Sequence, residues 1–325
     1  MGDILVVGGC GQIGSHVVDV LLERKNRVIV LDPRPPLREW ARYIQRDKLI
    51  YRHGSSADIR QINAIASEYD VVEIYDFGGW LGSEELSSLF DTAVMYNLTG
   101  ARNVYELAKM KDARVYHTSI EFAGYGFTDG YSVTKEMALR IAKEYAKKWN
   151  VFIVSSYVHH VFCERQRILP TRKIIPTLIS YAVAGRTFRI FGSPDKKMDL
   201  LYARDFAEVV VDLLRHEEVE RVDRHVYDIG VGYGIRLEDL VKMVYNEVGR
   251  EPMYVITEDV RKQSSDPYRI ATNDWMNILG ERKLRGVKEM LDYVVEKYLE
   301  TYNSEDFMLA VEVYEQRHRF KEVGV

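Results

Sequence analysis

Cysteine is scarce, with Cys10 and Cys163 the only two in 325 residues. So far apart in a chain of this size, they supply neither a disulfide framework nor a metal site. Long apolar runs are also missing. Nothing approaches the ~20 residues needed to cross a bilayer, and Asp3 and an early glycine turn break up any signal-peptide core. No sign of charge dominates either, since 45 basic and 49 acidic side chains are interspersed and leave a formal charge of -4. That balance offers no electrostatic case for nucleic-acid or membrane partners. The small basic patch Arg165, Arg167, Arg172 and Lys173 reads first as a solvated face. Low-complexity tracts and internal repeats are absent. These exclusions lead to the expectation of a soluble cytoplasmic protein without a metal.

What is present is a periodic alternation. Apolar runs such as "DILVV", "RVIVLD", "DVVEIYDFGG" and "ARVYHTSIEF" alternate with helical patterns through the first 160 residues. Unbroken apolar strands separated by helices predict an α/β fold, a parallel sheet covered on both faces. The texture changes after 160, where "ERQRILPTRKIIP" is basic and proline-punctuated. The reading divides the chain into a dinucleotide-binding domain over 1–160, to which 205–230 returns, and a smaller mixed lobe over 161–204 and 231–325.

Between the first strand and first helix, Gly8, Gly11 and Gly14 form G-x-x-G-x-x-G. Such spacing allows a tight turn, close approach of backbone to a pyrophosphate and close packing of helix on strand, with the helix N-terminus facing the phosphates. Asp32 ends the second strand, 18 residues after Gly14. A carboxylate there accepts hydrogen bonds from an adenosine ribose diol and repels a 2′-phosphate, so NAD is favoured over NADP, with Arg34 keeping NADP as the minority alternative. Further on, "YSVTK" sets Tyr131 and Lys135 four apart on one helical face. A lysine ammonium beside a phenol stabilises the phenolate and makes the tyrosine usable as an acid or base near neutrality. Thr118 and Ser119, at the end of the preceding strand, supply hydroxyls that can share the substrate proton.

In this order, "GGCGQIG", "SSADIR", "FGG", "NLTGARNV", "YSVTK" and the long run "IIPTLISYAVAGRTFRIFGSPDKKMDLLYARDFAEVV" resemble the extended short-chain dehydrogenase/reductases of the NAD-dependent epimerase/dehydratase group, over nearly the whole chain. The resemblance implies a Rossmann-type doubly wound sheet with a substrate lobe. It also implies NAD held by Gly8, Gly11, Gln12, Ile13, Gly14, Asp32, Asp58, Ile59, Phe77, Gly78, Gly79, Asn97, Thr118, Tyr131 and Lys135. In the implied reaction Tyr131 removes a hydroxyl proton while NAD takes hydride from the same carbon. Lys135 holds the nicotinamide ribose and the tyrosine, and Ser119 steadies the reacting oxygen. The implied substrate is a nucleotide sugar, bound by Trp80, Ser119, Glu121, His160, Arg172 and Arg261. The implied assembly is a homodimer made from helices 91–111 and 131–149.

Several positions depart from the group's pattern. Glu121 falls where 4,6-dehydratases carry a glutamate base, but the neighbouring acid is Ile120; a second register puts Glu121 itself at the hydroxyl position. Asp76 stands where histidine is common, His160 where asparagine is common, and Met198 where a pyrophosphate-binding arginine is usual. The leading expectation is therefore a nucleotide-sugar epimerase or dehydratase. The alternatives are net dehydrogenation of a small hydroxy substrate and a non-catalytic NAD-binding regulator.

Overall fold

A computed structural model describes residues 2–80, 89–120, 130–170, 173–258 and 270–322. The chain forms two compact units. One comprises 1–161, 203–230 and 271–283, and the other 162–202, 231–270 and 284–325.

The first unit is built on a seven-stranded parallel sheet. Its strands are β1 (Asp3–Val7), β2 (Val28–Asp32), β3 (Leu49–His53), β4 (Val71–Asp76), β5 (Arg114–Ile120), β6 (Ile153–Val158) and β7 (Tyr227–Ile229), in the spatial order β7-β6-β5-β4-β1-β2-β3. Every residue of β1 and β2 is buried, which is why these runs carry no polar alternation: helices cover both faces. The sequence order reverses between β1 and β4, the switch point at which ligands bind beyond the carboxyl ends of the strands.

The helices of this unit are α1 (Gly14–Glu23), α2 (Ile59–Glu68), α3 (Gly100–Lys111), α4 (Gly130–Trp149) and α5 (Ala203–Arg215). On one face, Val104, Tyr105, Leu107 and Ala108 of α3 join Ala138, Leu139 and Ala142 of α4 in a core with Leu5, Ile74 and Val115 of the sheet. Packing these side chains out of water, at roughly 1.5–3 kcal/mol for each large apolar residue, is what fixes α3 and α4 on the sheet. A six-residue π-type stretch, Val94–Thr99, leads into α3 and sets the buried Asn97 toward the sheet end.

Residues 203–230 supply α5 and β7 to this unit, and residues 271–283 also pack in it. Their anchor is polar. Buried Asp228 on β7 accepts from the Thr272 amide at 2.9 Å and the Thr272 hydroxyl at 3.0 Å, and its other oxygen meets His159 Nε2 at 2.7 Å. Asp274 in turn accepts from the Asp228 amide and faces His225 Nε2 at 2.7 Å.

The second unit contains helices Ile174–Val183, Leu237–Glu247, Val287–Thr301 and Ser304–Glu322, with a parallel strand pair Phe188–Phe191 and Tyr254–Thr257. Met198 lies in a two-residue strand paired with Ile235–Arg236, and its side chain is buried.

Candidate active site

The turn after β1 is shaped by what it cannot accommodate. Gly8 has φ +70°, in the left-handed region, and a Cβ there would come within 2.6 Å of the Phe77 carbonyl oxygen. A Cβ on Gly14 would run into the Gly8 carbonyl, so α1 starts directly against the turn. No side chain caps α1 and its first turn has no acid, so nothing of negative charge competes with an anion for the positive end of its dipole. This is the cradle that a pyrophosphate needs.

Asp32 sits at the end of β2, 1% exposed. Its Oδ2 accepts from the Cys10 amide at 2.9 Å, and its Oδ1 accepts from the Arg34 amide at 2.8 Å and from Arg34 Nε at 3.2 Å. Tyr51 donates its hydroxyl to the Arg34 carbonyl at 2.8 Å, which pins the turn. Burial, helped by the Asp32 charge, pushes the Cys10 thiol up to about 12, so it stays protonated. Asp58 caps α2 by accepting from the Arg60 amide at 3.0 Å and pairs with the Arg60 guanidinium at 2.8 Å. Ile59 opens that helix, 41% exposed.

The second wall comes from β4 and β5. Phe77 follows β4, donates its amide to the Val7 carbonyl at 3.0 Å, and joins Tyr116 and Phe206 in an aromatic cluster, meeting Phe206 edge-on. Asn97 clasps the next loop from outside. Its Oδ1 accepts from the Trp80 amide at 2.6 Å, and its Nδ2 donates to the Trp80 carbonyl and to Thr134 Oγ1, each at 3.2 Å. The Trp80 ring, 44% exposed, packs on Tyr96. Asn97 thus acts on loop backbone and on α4.

At the end of β5, the Ser119 hydroxyl is buried and has no hydrogen-bond partner among the described residues, with Thr118 beside it. Tyr131 and Lys135 occupy the first turns of α4, which packs on β5. Lys135 is buried, and that burial lowers its pKa against the opposing pull of Asp76. The Asp76 carboxylate is itself buried, accepts from the Gly78 amide at 3.1 Å and lies 3.3 Å from His117 Nδ1. Burial holds His117 below its usual value of 6.5, so the ring is neutral at physiological pH.

Reading the sequence alone missed His117. An imidazole inside the apolar run of β5 was the available signal, but only the register Asp76↔His117 shows its partner. His160 is half-buried just past β6. Glu121, Arg172 and Arg261 lie outside the described residues. Elsewhere in this unit, an open hollow of about 340 Å³ lined by Asp212, Arg215, His216 and Arg282 lies by the start of β4, where Arg215 pairs with Glu73. It is at the opposite end of the strands from the site.

A doubly wound parallel sheet with a glycine cradle at its switch point, a buried acid closing β2 and a Tyr–Lys pair on the next wall defines a Rossmann-type, NAD-dependent enzyme. The glycine turn, in which a Cβ at Gly8 or Gly14 would strike backbone, and the uncapped, acid-free start of α1 fit the dinucleotide. The sequence pattern of the NAD dependent epimerase/dehydratase family matches residues 4–230, and the chain belongs to that family.

Among its relatives, a UDP-glucose 4-epimerase from Pasteurella multocida is 24% identical over 334 residues, covering 89% of this chain and 95% of the relative. A dTDP-4-dehydro-6-deoxyglucose reductase from Escherichia coli is 23% identical over 74% of this chain and 80% of its own. The fold is shared with the crystal structure of a UDP-glucose 4-epimerase from Thermotoga maritima with UDP-glucose, at a TM-score of 0.80 and 21% identity, covering 92% of this chain and 99% of that one.

Proposed function

We propose that the protein is a nucleotide-sugar epimerase or dehydratase that works by transient oxidation of a ring hydroxyl. What supports this reading is a buried Ser119 hydroxyl without a partner among the described residues at the end of β5, with Tyr131 and Lys135 in the first turns of the helix that packs on that strand. Relatives named for UDP-glucose epimerisation and for dTDP-sugar reduction support the substrate class.

Gly8, Gly14 and the α1 N-terminus would hold the NAD pyrophosphate, Asp32 the adenosine ribose and Lys135 the nicotinamide ribose. Bound there, NAD would supply reversible hydride acceptance at the sugar carbon, which would make the cycle redox-neutral. Tyr131 takes the hydroxyl proton. The Lys135 ammonium stabilises the resulting phenolate and lowers the cost of forming it near neutrality. The Ser119 hydroxyl donates to the sugar oxygen as it becomes a carbonyl, which also satisfies a buried group that otherwise lacks a partner. Glu121 is proposed as an additional acid or base at the neighbouring carbon, and His160, Trp80, Arg172 and Arg261 as substrate contacts.

Buried Met198 brings no charge to a diphosphate, and this favours a second reading, net dehydrogenation of a small hydroxy substrate. Incubation with UDP- and dTDP-hexoses separates the two. Epimerised or dehydrated sugar without accumulation of reduced cofactor supports the first, steady NADH release supports the second, and neither outcome with any hydroxy substrate refutes both. We also assign a homodimer and a cytoplasmic location. Exposed Met95, Met137 and Trp149 on helices around α4 support the dimer, and two cysteines outside any disulfide suit a reducing compartment.

A further inference from the structure

An acid at the end of β2 rejects a 2′-phosphate only while its charge is unpaired, and the charge of Asp32 is paired. Four donors meet its two oxygens. Oδ1 accepts from the Arg34 amide at 2.8 Å and from Arg34 Nε at 3.2 Å, and Oδ2 accepts from the Cys10 amide at 2.9 Å and from Arg34 Nη2 at 3.3 Å. Two of these donors belong to one guanidinium laid across both oxygens, a bidentate ion pair. A carboxylate has about four lone-pair sites, so all of them are in use, and the pair as a whole carries no net charge.

Arg34 is presented by a turn whose backbone is held. Pro33 and Pro35 flank it, each with a ring-fixed φ, and Pro35 also confines Arg34 to extended conformations. Its amide is bound to Asp32, and its carbonyl accepts from the Tyr51 hydroxyl at 2.8 Å. The side chain, 41% exposed, lies over the glycine turn, for a Cβ on Gly11 would stand 3.0 Å from Nη2. Gly11 is the second glycine of the fingerprint, the one whose bare backbone a pyrophosphate approaches. The guanidinium therefore lies on the cofactor side of the turn. Two of its five N–H groups are used on Asp32, and the other three meet no acceptor among the described residues.

We infer that the adenosine end of this cradle takes a 2′-phosphate as well as a ribose diol, so that the protein binds NADP alongside NAD, with Arg34 as the specificity-determining residue. The inference rests on the dinucleotide reading of the cradle and is independent of the sugar chemistry. With NADP, the guanidinium keeps Asp32 neutralised through Nε and Nη2 and turns its remaining N–H groups to the phosphate. With NAD, the ribose diol has to compete with the same guanidinium for the Asp32 oxygens, which reduces the preference that an open acid would give. Asp58, the other acid that the family resemblance brings to the adenosine, is also matched by a guanidinium, that of Arg60 at 2.8 Å. Neither carboxylate of that end is left unpaired.

Calorimetric titration of the full-length protein, freed of nucleotide, with NAD and with NADP tests this. The two wild-type dissociation constants should lie within tenfold of each other, and Arg34→Gln should widen the gap at least tenfold against NADP. Wild-type affinity for NADP should also fall more steeply with added salt than affinity for NAD, because a half-exposed guanidinium–phosphate pair is screened. That readout and the wild-type ratio need no folded variant. NADP more than tenfold weaker than NAD in the wild type overturns the inference, as do equal salt slopes or a gap that widens less than tenfold in Arg34→Gln. NAD bound and NADP refused overturns this inference and leaves the cradle standing, whereas refusal of both overturns the cradle with it. Turnover of sugars plays no part in either result, so the proposed function is tested separately.

Discussion

At the scale of single residues, the proposed chemistry draws on the first turns of α4 and the end of β5. Tyr131→Phe keeps the ring and removes the proton acceptor, so turnover should fall by about 10²- to 10⁴-fold while NAD affinity, measured by fluorescence titration, changes little. Full activity in this variant would exclude the scheme. Most of this was readable in advance: a tyrosine and lysine four apart, after a strand ending in hydroxyls, need no structure to be noticed. Asp76 stood out only as an unusual residue, and its pairing with His117 was not legible, because it lies in a cross-strand register 41 residues apart. His117 also makes a stability prediction. Its folded pKa lies below 6.5, so the unfolded chain takes up a proton first as pH falls. The stability gained from a neutral imidazole is complete above about 6.5 and is lost below it, down toward the folded pKa. The melting temperature should decline between pH 7 and about 5.5, and His117→Gln should flatten that decline; an identical slope in the variant would show that other groups cause it.

Among elements, the β1–turn–α1 unit carries the cofactor reading. Its strands are legible because a parallel strand buried on both faces needs an uninterrupted apolar run, and its turn because only glycine meets the demand at Gly8. Gly8→Ala must place a Cβ at φ +70° and within 2.6 Å of the Phe77 carbonyl. The backbone cost alone is about 1–2 kcal/mol, and the clash displaces the loop that carries Gly78 and Gly79. Calorimetry should show weakened NAD binding together with a lower melting temperature. NAD binding at wild-type strength would mean that the turn is not the cradle. The π-type stretch before α3 was not legible. One extra residue per turn leaves no mark in the apolar period, yet it is what sets Asn97 to clasp Trp80 and Thr134.

For the whole molecule, the chain leaves the sheet unit three times and returns twice. The first return, 203–230, follows a helix–strand pattern and is readable. The second, 271–283, has no periodicity to announce it, because Asp228 and Asp274 hold it by hydrogen bonds spanning 44 to 49 residues. Assembly is a further step. Met95, Met110, Met137 and Trp149 are 42–55% exposed, and they belong to α3, α4 or the π-type stretch leading into α3. Several large apolar side chains grouped on neighbouring helices suit a self-complementary face shared by two copies about a two-fold axis. Ile141 does not belong to that face, since it packs on the sheet-side core. Light scattering should therefore give twice the chain mass at micromolar concentration. Met137→Glu adds a charge at the centre of that face and removes no contact from the core. It should shift the protein to monomer with its circular dichroism and NAD affinity preserved. Monomeric wild type, or a dimer untouched by this charge, would assign the exposed methionines to some other surface and leave the catalytic reading where it stands.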